Sequence, residues 1–141
     1  MGMYTELSLG VKFKPETPGN IIAAIEIMTQ YNYNKPMAPN QHPLFKTDLW
    51  WRMLKSKGSY YFDRQPNLIW YYNSNGANWC LSFTNNIKNY CDEWEHFLNF
   101  IAPYVESEGF IGTLRYEKDD YPKLVFCKHG NITLKTVLEV V

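Results

Sequence analysis

Several things are scarce in this 141-residue chain, and each scarcity removes a class of function. There are only 3 cysteines, Cys80, Cys91 and Cys127, and no CxxC pair, HxxxH pair or Asp-x-Asp pair accompanies them. A closed zinc site needs four ligands, so Cys127 and His129, two residues apart, do not make one. An odd thiol count cannot pair fully within one chain, and the plain reading is reduced thiols. The 8 glycines are scattered, and none precedes Lys-Ser or Lys-Thr at the spacing of a phosphate-binding loop, which excludes a P-loop nucleotidase. No apolar run reaches the ~18 residues of a membrane helix. The opening Met1-Gly2-Met3-Tyr4 has neither the charged nor the apolar region of an export signal, so a cytoplasmic protein is expected. No excess of charge exists either: 14 basic residues balance 14 acidic ones, which argues against an extended nucleic-acid surface. Arginine is confined to Arg52, Arg64 and Arg115.

What is abundant is apolar and aromatic. Hydrophobic residues make up 45% and charged residues 20%, the balance of a folded chain, and the length fits one domain over residues 1–141. Residues 3–13 alternate, with Thr5, Leu7, Leu9, Val11 and Phe13 on one face and Glu6, Ser8, Gly10 and Lys12 on the other, which predicts a half-buried strand. Thr17-Pro18 reads as a cap and first turn of a helix running to about Tyr31, with Ile21, Ile25 and Met28 on one side and Ala24 and Tyr31 nearby. Thr47 is expected to cap a short helix with Trp50, Met53 and Leu54 as its apolar stripe. Strands are expected at Ser59–Asp63 and Leu68–Asn73. Asn75-Gly76 predicts a two-residue type I′ hairpin pairing Tyr72 with Trp79, Trp70 with Leu81 and Leu68 with Phe83.

A long helix from about Ile87–Asn89 to Tyr104 or Val105 follows. Tyr90, Trp94, Phe97, Leu98, Ile101 and Val105 form its inner stripe, and Asp92, Glu93, Glu95 and Asn99 face water. Strands return at Phe110–Glu117, Lys123–Lys128 and Ile132–Val140. A three-residue loop at His129-Gly130-Asn131 places Leu124 and Phe126 opposite Thr136 and Leu134. The fold class is therefore α+β, a largely antiparallel sheet with two main helices. Ser59–Asp63 with Leu68–Tyr72, and Thr113–Glu117 with Leu124–Cys127, are two hairpins that each follow a strand and a helix. This allows two strand–helix–strand–strand repeats. In element order the chain resembles tandem effector-binding domains of the multidrug-sensing kind, a likeness that implies an aromatic cleft between repeats. The run His42-Pro43-Leu44-Phe45, Trp50, Met53-Leu54, Ser59-Tyr60-Tyr61-Phe62, with the opening Tyr4-Thr5-Glu6-Leu7, is similar to small uncharacterised bacterial and phage-encoded proteins. That likeness implies an accessory or defence-antagonist role.

Catalytic constellations are not visible. Cys91, near an expected helix start where the dipole lowers a thiol pKa, is the best nucleophile candidate, but no base or orienting group accompanies it. Asp92, Glu93 and Glu95 suit a helix N-terminus without catalysis. A non-catalytic protein without cofactor or metal is expected. Aromatics supply 17% of residues, including 11 tyrosines and 5 tryptophans. Core packing accounts for Trp70, Trp79, Phe83, Trp94 and Phe97. It accounts less well for Tyr31, Tyr33, Trp51, Tyr60, Tyr61 and Tyr71, whose neighbours on the same element compete for the interior. Those six, with Arg52, Arg64 and Arg115 as readers of negative charge, form the expected recognition surface. The expected partner is another protein docking near residues 31–62; the alternative is a planar, nucleotide-like small molecule in an aromatic cleft. A flat patch favours the first and a concave pocket with an arginine favours the second. The strand expected to end at Val140-Val141 offers an edge for a homodimer.

Overall fold

The alternation of residues 3–13 does produce a strand, and it becomes the centre of the molecule. The computed structural model describes residues 3–55, 59 and 62–140. Its elements are β1 (Thr5–Lys12), α1 (Gly19–Thr29), β2 (Asn67–Asn73), β3 (Asn78–Ile87), α2 (Glu93–Ile101), β4 (Gly109–Tyr116), β5 (Lys123–Lys128), β6 (Asn131–Lys135) and a short helix α3 (Val137–Val140). The six strands form one antiparallel sheet in the order β2-β3-β1-β4-β5-β6. The architecture is α+β with two main helices, as the residue pattern predicts. The hairpin expected to close a first strand–helix–strand–strand repeat, Ser59–Asp63 with Leu68–Tyr72, is not seen among the described residues, since Ser59, Phe62 and Asp63 belong to no strand; β2 pairs with β3 instead, and β1 lies between β3 and β4.

One face of the sheet is covered. Leu7, Leu9, Val11 and Phe13 join Leu81, Phe83 and Ile87 of β3 and the inward residues of both helices in one buried cluster. Ile21, Ile25 and Met28 of α1 are buried as expected, with Ala24 beside them, while α1 ends at Thr29 and Tyr31 lies exposed beyond it. Trp94 and Phe97 of α2 pack on Phe83 at centroid distances of 5.6 and 5.8 Å. The indole N–H of Trp94 donates to the Thr5 carbonyl at 2.8 Å, which ties α2 to the first residue of β1.

The β2–β3 register is the expected one: Tyr72 pairs with Trp79, Trp70 with Leu81 and Leu68 with Phe83. The turn is different. Positive φ falls on Ala77 (55°), four residues separate Asn73 from Asn78, and the Asn75 N–H donates to the Asn73 side chain at 3.1 Å. Four-residue loops of this kind keep the pairing of a two-residue loop while moving the left-handed residue. The β5–β6 hairpin shows the opposite trade. His129 (φ 51°) and Gly130 (φ 79°) make the two-residue turn, pairing Phe126 with Thr133 and Val125 with Leu134. The three-residue loop expected at 129–131 is thus one residue too long, and the slip would have turned Leu134 away from the core.

Other boundaries shift for local reasons. Thr17 does not cap α1; its hydroxyl turns back to the Lys14 carbonyl at 2.6 Å, and Pro18 occupies the cap position. Thr47 ends a 3-10 turn over Pro43–Lys46 instead of starting a helix, and Trp50, Met53 and Leu54 are buried from consecutive turns. β3 runs through Ile87, so α2 begins at Glu93, and Tyr90 is exposed outside its stripe. Glu93 does not face water: it is 1% exposed and its carboxylate accepts the Cys91 N–H at 3.1 Å. Of the strand expected at 59–63, Ser59, Phe62 and Asp63 belong to no strand, and Tyr60 and Tyr61 lie outside the described residues. β6 stops at Lys135 and α3 follows, so the strand expected through Val140 is replaced there by a helical turn.

His42 begins the Pro43–Lys46 turn, and its Nδ1 accepts the Leu44 N–H at 3.1 Å. Burial, reinforced by the neighbouring His96, pushes its pKa below the ordinary 6.5. A neutral His42 therefore stabilises the fold above pH 6.5, and that contribution is lost as pH falls through its depressed folded value. His42→Asn keeps a capping acceptor and cannot titrate. Thermal melts between pH 7 and pH 4 should show a shallower acid limb in this variant than in the parent.

Candidate functional site

Of the nine residues expected to carry recognition, the seven that are described fall into two groups. The first gathers at the end where β1 begins and β3 ends. There the chain leaving α1 (Gln30–Tyr33), the turn Leu49–Lys55, Tyr4, and Asn86–Lys88 enclose a cleft of about 710 Å3. Tyr31, Tyr33, Trp51 and Arg52 all line it, although they come from separate loops. That volume lies within the range of small-molecule sites.

Each wall has a physical reason for its position. Trp50 and Trp51 cannot both face inward. Trp50 is fully buried against Phe45 (4.9 Å), and Trp51 is sent to the cleft, half-buried, with its indole N–H donating to the Asp48 carbonyl at 3.2 Å. Beneath the turn, buried Asn85 of β3 donates to the Met53 carbonyl at 2.8 Å and fixes the height of the turn above the sheet. Asn32 donates to the carbonyls of Ile27 and Gln30, folding the chain back after α1 and presenting Tyr31 and Tyr33, whose rings meet edge to face at 5.0 Å. The Arg52 guanidinium lies 5.5 Å from the Trp51 ring centre and the Lys88 ammonium 5.9 Å from that of Tyr4, both within cation–π range.

The second group lies on the open face of the sheet. Arg64 donates to the Ser8 hydroxyl at 3.3 Å, and the Arg115 guanidinium sits 5.7 Å from the Phe62 ring. Both act on Glu6, which is only 7% exposed beneath this segment. Burial raises the Glu6 carboxyl above its ordinary value, and the two arginines pull it back down in part. Arg64 and Arg115 therefore belong to the surroundings of Glu6, and neither is among the described residues lining the cleft. Tyr71 is also remote: it stands opposite Cys80 on the open face, and the contact with that thiol raises its phenol pKa. Tyr60 and Tyr61 lie outside the described residues.

The thiol pKa expected to be lowered at Cys91 is instead raised. Cys91 is exposed ahead of α2, and Glu93, with Asp48 and Asp92, raises its thiol pKa where a helix dipole was expected to lower it. Cys127 is buried and its pKa is likewise raised by desolvation. Among the described residues, no three His, Cys, Asp or Glu side chains converge as metal ligands, and no helix is long and apolar enough to cross a membrane.

Tyr4, Lys55 and Lys88 were missed in the sequence. Lys55 carried a signal, since it follows Trp51 by four residues in the same winding segment. Lys88 was hidden by the expectation that a helix starts at Ile87–Asn89. Comparison with protein-family models, curated proteins and solved structures finds no match, so the cleft must be interpreted from its own residues.

Proposed function

We propose that this chain is a non-catalytic binding protein whose aromatic cleft takes up a planar, nucleotide-like small molecule. The observation that carries the reading is the concavity itself: Tyr4, Tyr31, Tyr33 and Trp51 converge on one cleft of about 710 Å3 with Arg52 at its wall. A flat ring slides between rigid aromatic faces at little entropic cost, and each such stacking contact is worth about 1–3 kcal/mol. The described residues that line the cleft are aromatic, cationic, amide and aliphatic side chains, which suit binding. In the setting implied by the likeness to small bacterial and phage-encoded proteins, such a protein would act by sequestering its ligand.

A second reading, docking of a partner protein, draws on the high exposure of Tyr33 (86%) at the cleft and of Met37 (91%) beyond it. The two readings separate in one experiment. Native mass spectrometry of the purified protein, alone and with a mixture of common nucleosides and nucleotides, should show one small molecule bound per chain. Trp51→Ala should weaken that binding at least about fivefold, the low end of one lost stacking contact being ~1 kcal/mol. Tyr71→Ala, on the open face, should leave it unchanged. Absence of any small-molecule adduct, or equal loss in the Tyr71 variant, would refute the cleft as the site.

A further inference from the structure

Building on the cleft reading above, we infer that the ligand carries at least two negative charges as phosphate, and that Arg52, Lys55 and Lys88 hold them. The chain as a whole is neutral, with 14 residues of each sign. The cleft is not: among the described residues its lining contains these three cations and no aspartate or glutamate. Among the described residues none of the three is ion-paired; the ion pair that the described residues do show, His129 with Glu108 at 3.7 Å, lies elsewhere. Like charges gathered at one concave site without counter-charge repel one another, and an anion relieves that repulsion.

The cations also sit beside the rings. Arg52 lies against Trp51 and Lys88 against Tyr4, so ring and charge alternate around the cleft. A ligand matching that arrangement has a flat ring with a charged tail attached, as a nucleoside phosphate does. One carboxylate would satisfy one cation; a guanidinium fork and two ammonium groups suit the several oxygens of a phosphate chain.

Calorimetric titration of the intact chain with adenosine, uridine and their 5′-monophosphates and 5′-triphosphates tests this directly. Affinity should rise from nucleoside to monophosphate to triphosphate, by at least about tenfold overall, and the gain should shrink as salt rises from roughly 50 to 500 mM. Lys55→Gln and Lys88→Gln change exposed side chains, so melting temperature should hold while each removes about three- to tenfold of the phosphate gain. Nucleoside affinity should stay as it was. Equal affinity for nucleoside and triphosphate would overturn this inference and leave ring stacking standing. Binding of inorganic tripolyphosphate as tight as that of the triphosphates would uphold the charge assignment and overturn ring stacking. No binding by any of the six nucleoside probes would overturn both.

Discussion

Trp94→Ala should lower folding stability by about 3–5 kcal/mol, the usual cost of deleting a large buried aromatic. Trp94 is fully buried, its ring stacks on Phe83, and its indole N–H is bonded to the Thr5 carbonyl. The substitution removes all three interactions at the point where α2 meets the start of β1. For a domain of this size the melting temperature should fall by roughly 10–15 °C. Trp94→Phe keeps much of the ring but strips the Thr5 carbonyl of its donor, an added loss of about 1–3 kcal/mol. Trp50 provides the control. It is equally buried, yet its indole N–H has no hydrogen-bond partner among the described residues. Trp50→Phe therefore sheds an unsatisfied donor and should cost less than Trp94→Phe in the same denaturant titration. The reverse order would show that the Thr5 bond contributes little.

Gly112→Ala should be comparably damaging for a different reason. Gly112 of β4 lies opposite Leu9 of the central strand, next to the bulge between Phe110 and Gly112. A methyl group there would sit 2.1 Å from the Ser8 carbonyl oxygen and 3.1 Å from the Leu9 Cα. Those are backbone atoms of the middle of the sheet and cannot swing aside, so β4 must move away from β1. A loss of about 3 kcal/mol or more is expected, read as a shift in denaturation midpoint with an unchanged slope. Gly10→Ala, on β1, where a methyl group meets nothing within 4 Å, should be neutral or slightly stabilising.

The parts of the fold that could be read from the residues are those written in short-range periodicity. Leu7, Leu9, Val11 and Phe13 at period two set the covered face of β1, and the alternation in 68–83 left one sensible register for β2 and β3. What could not be read depends on atoms distant in sequence. Asn85, Asn86 and Glu93 look like surface residues or helix-start residues, yet each is buried, and Asn85 spends its side chain on the Met53 carbonyl. Hence β3 outlasts its hydrophobic signal, and α2 starts later than its pattern implied. Turn chemistry misled in a complementary way: Asn75-Gly76 has the residues of a type I′ turn, but His129-Gly130 makes it. For the site, ring competition between Trp50 and Trp51 correctly marked an outward indole. Charge type alone could not tell Arg52, which lines the cleft, from Arg64 and Arg115, whose charges act on buried Glu6.

The central claim is that Trp51 is the ring a small planar molecule meets. The five indole N–H signals in a proton–nitrogen NMR spectrum, assigned by single Trp→Phe variants, report each tryptophan separately during titration with adenosine and uridine 5′-triphosphates. On this account the Trp51 signal shifts saturably, while those of Trp50 and Trp94 in the core and Trp70 and Trp79 on the β2–β3 hairpin stay in place. A stationary Trp51 signal at millimolar ligand, or saturable movement centred on Trp70 and Trp79, would contradict it.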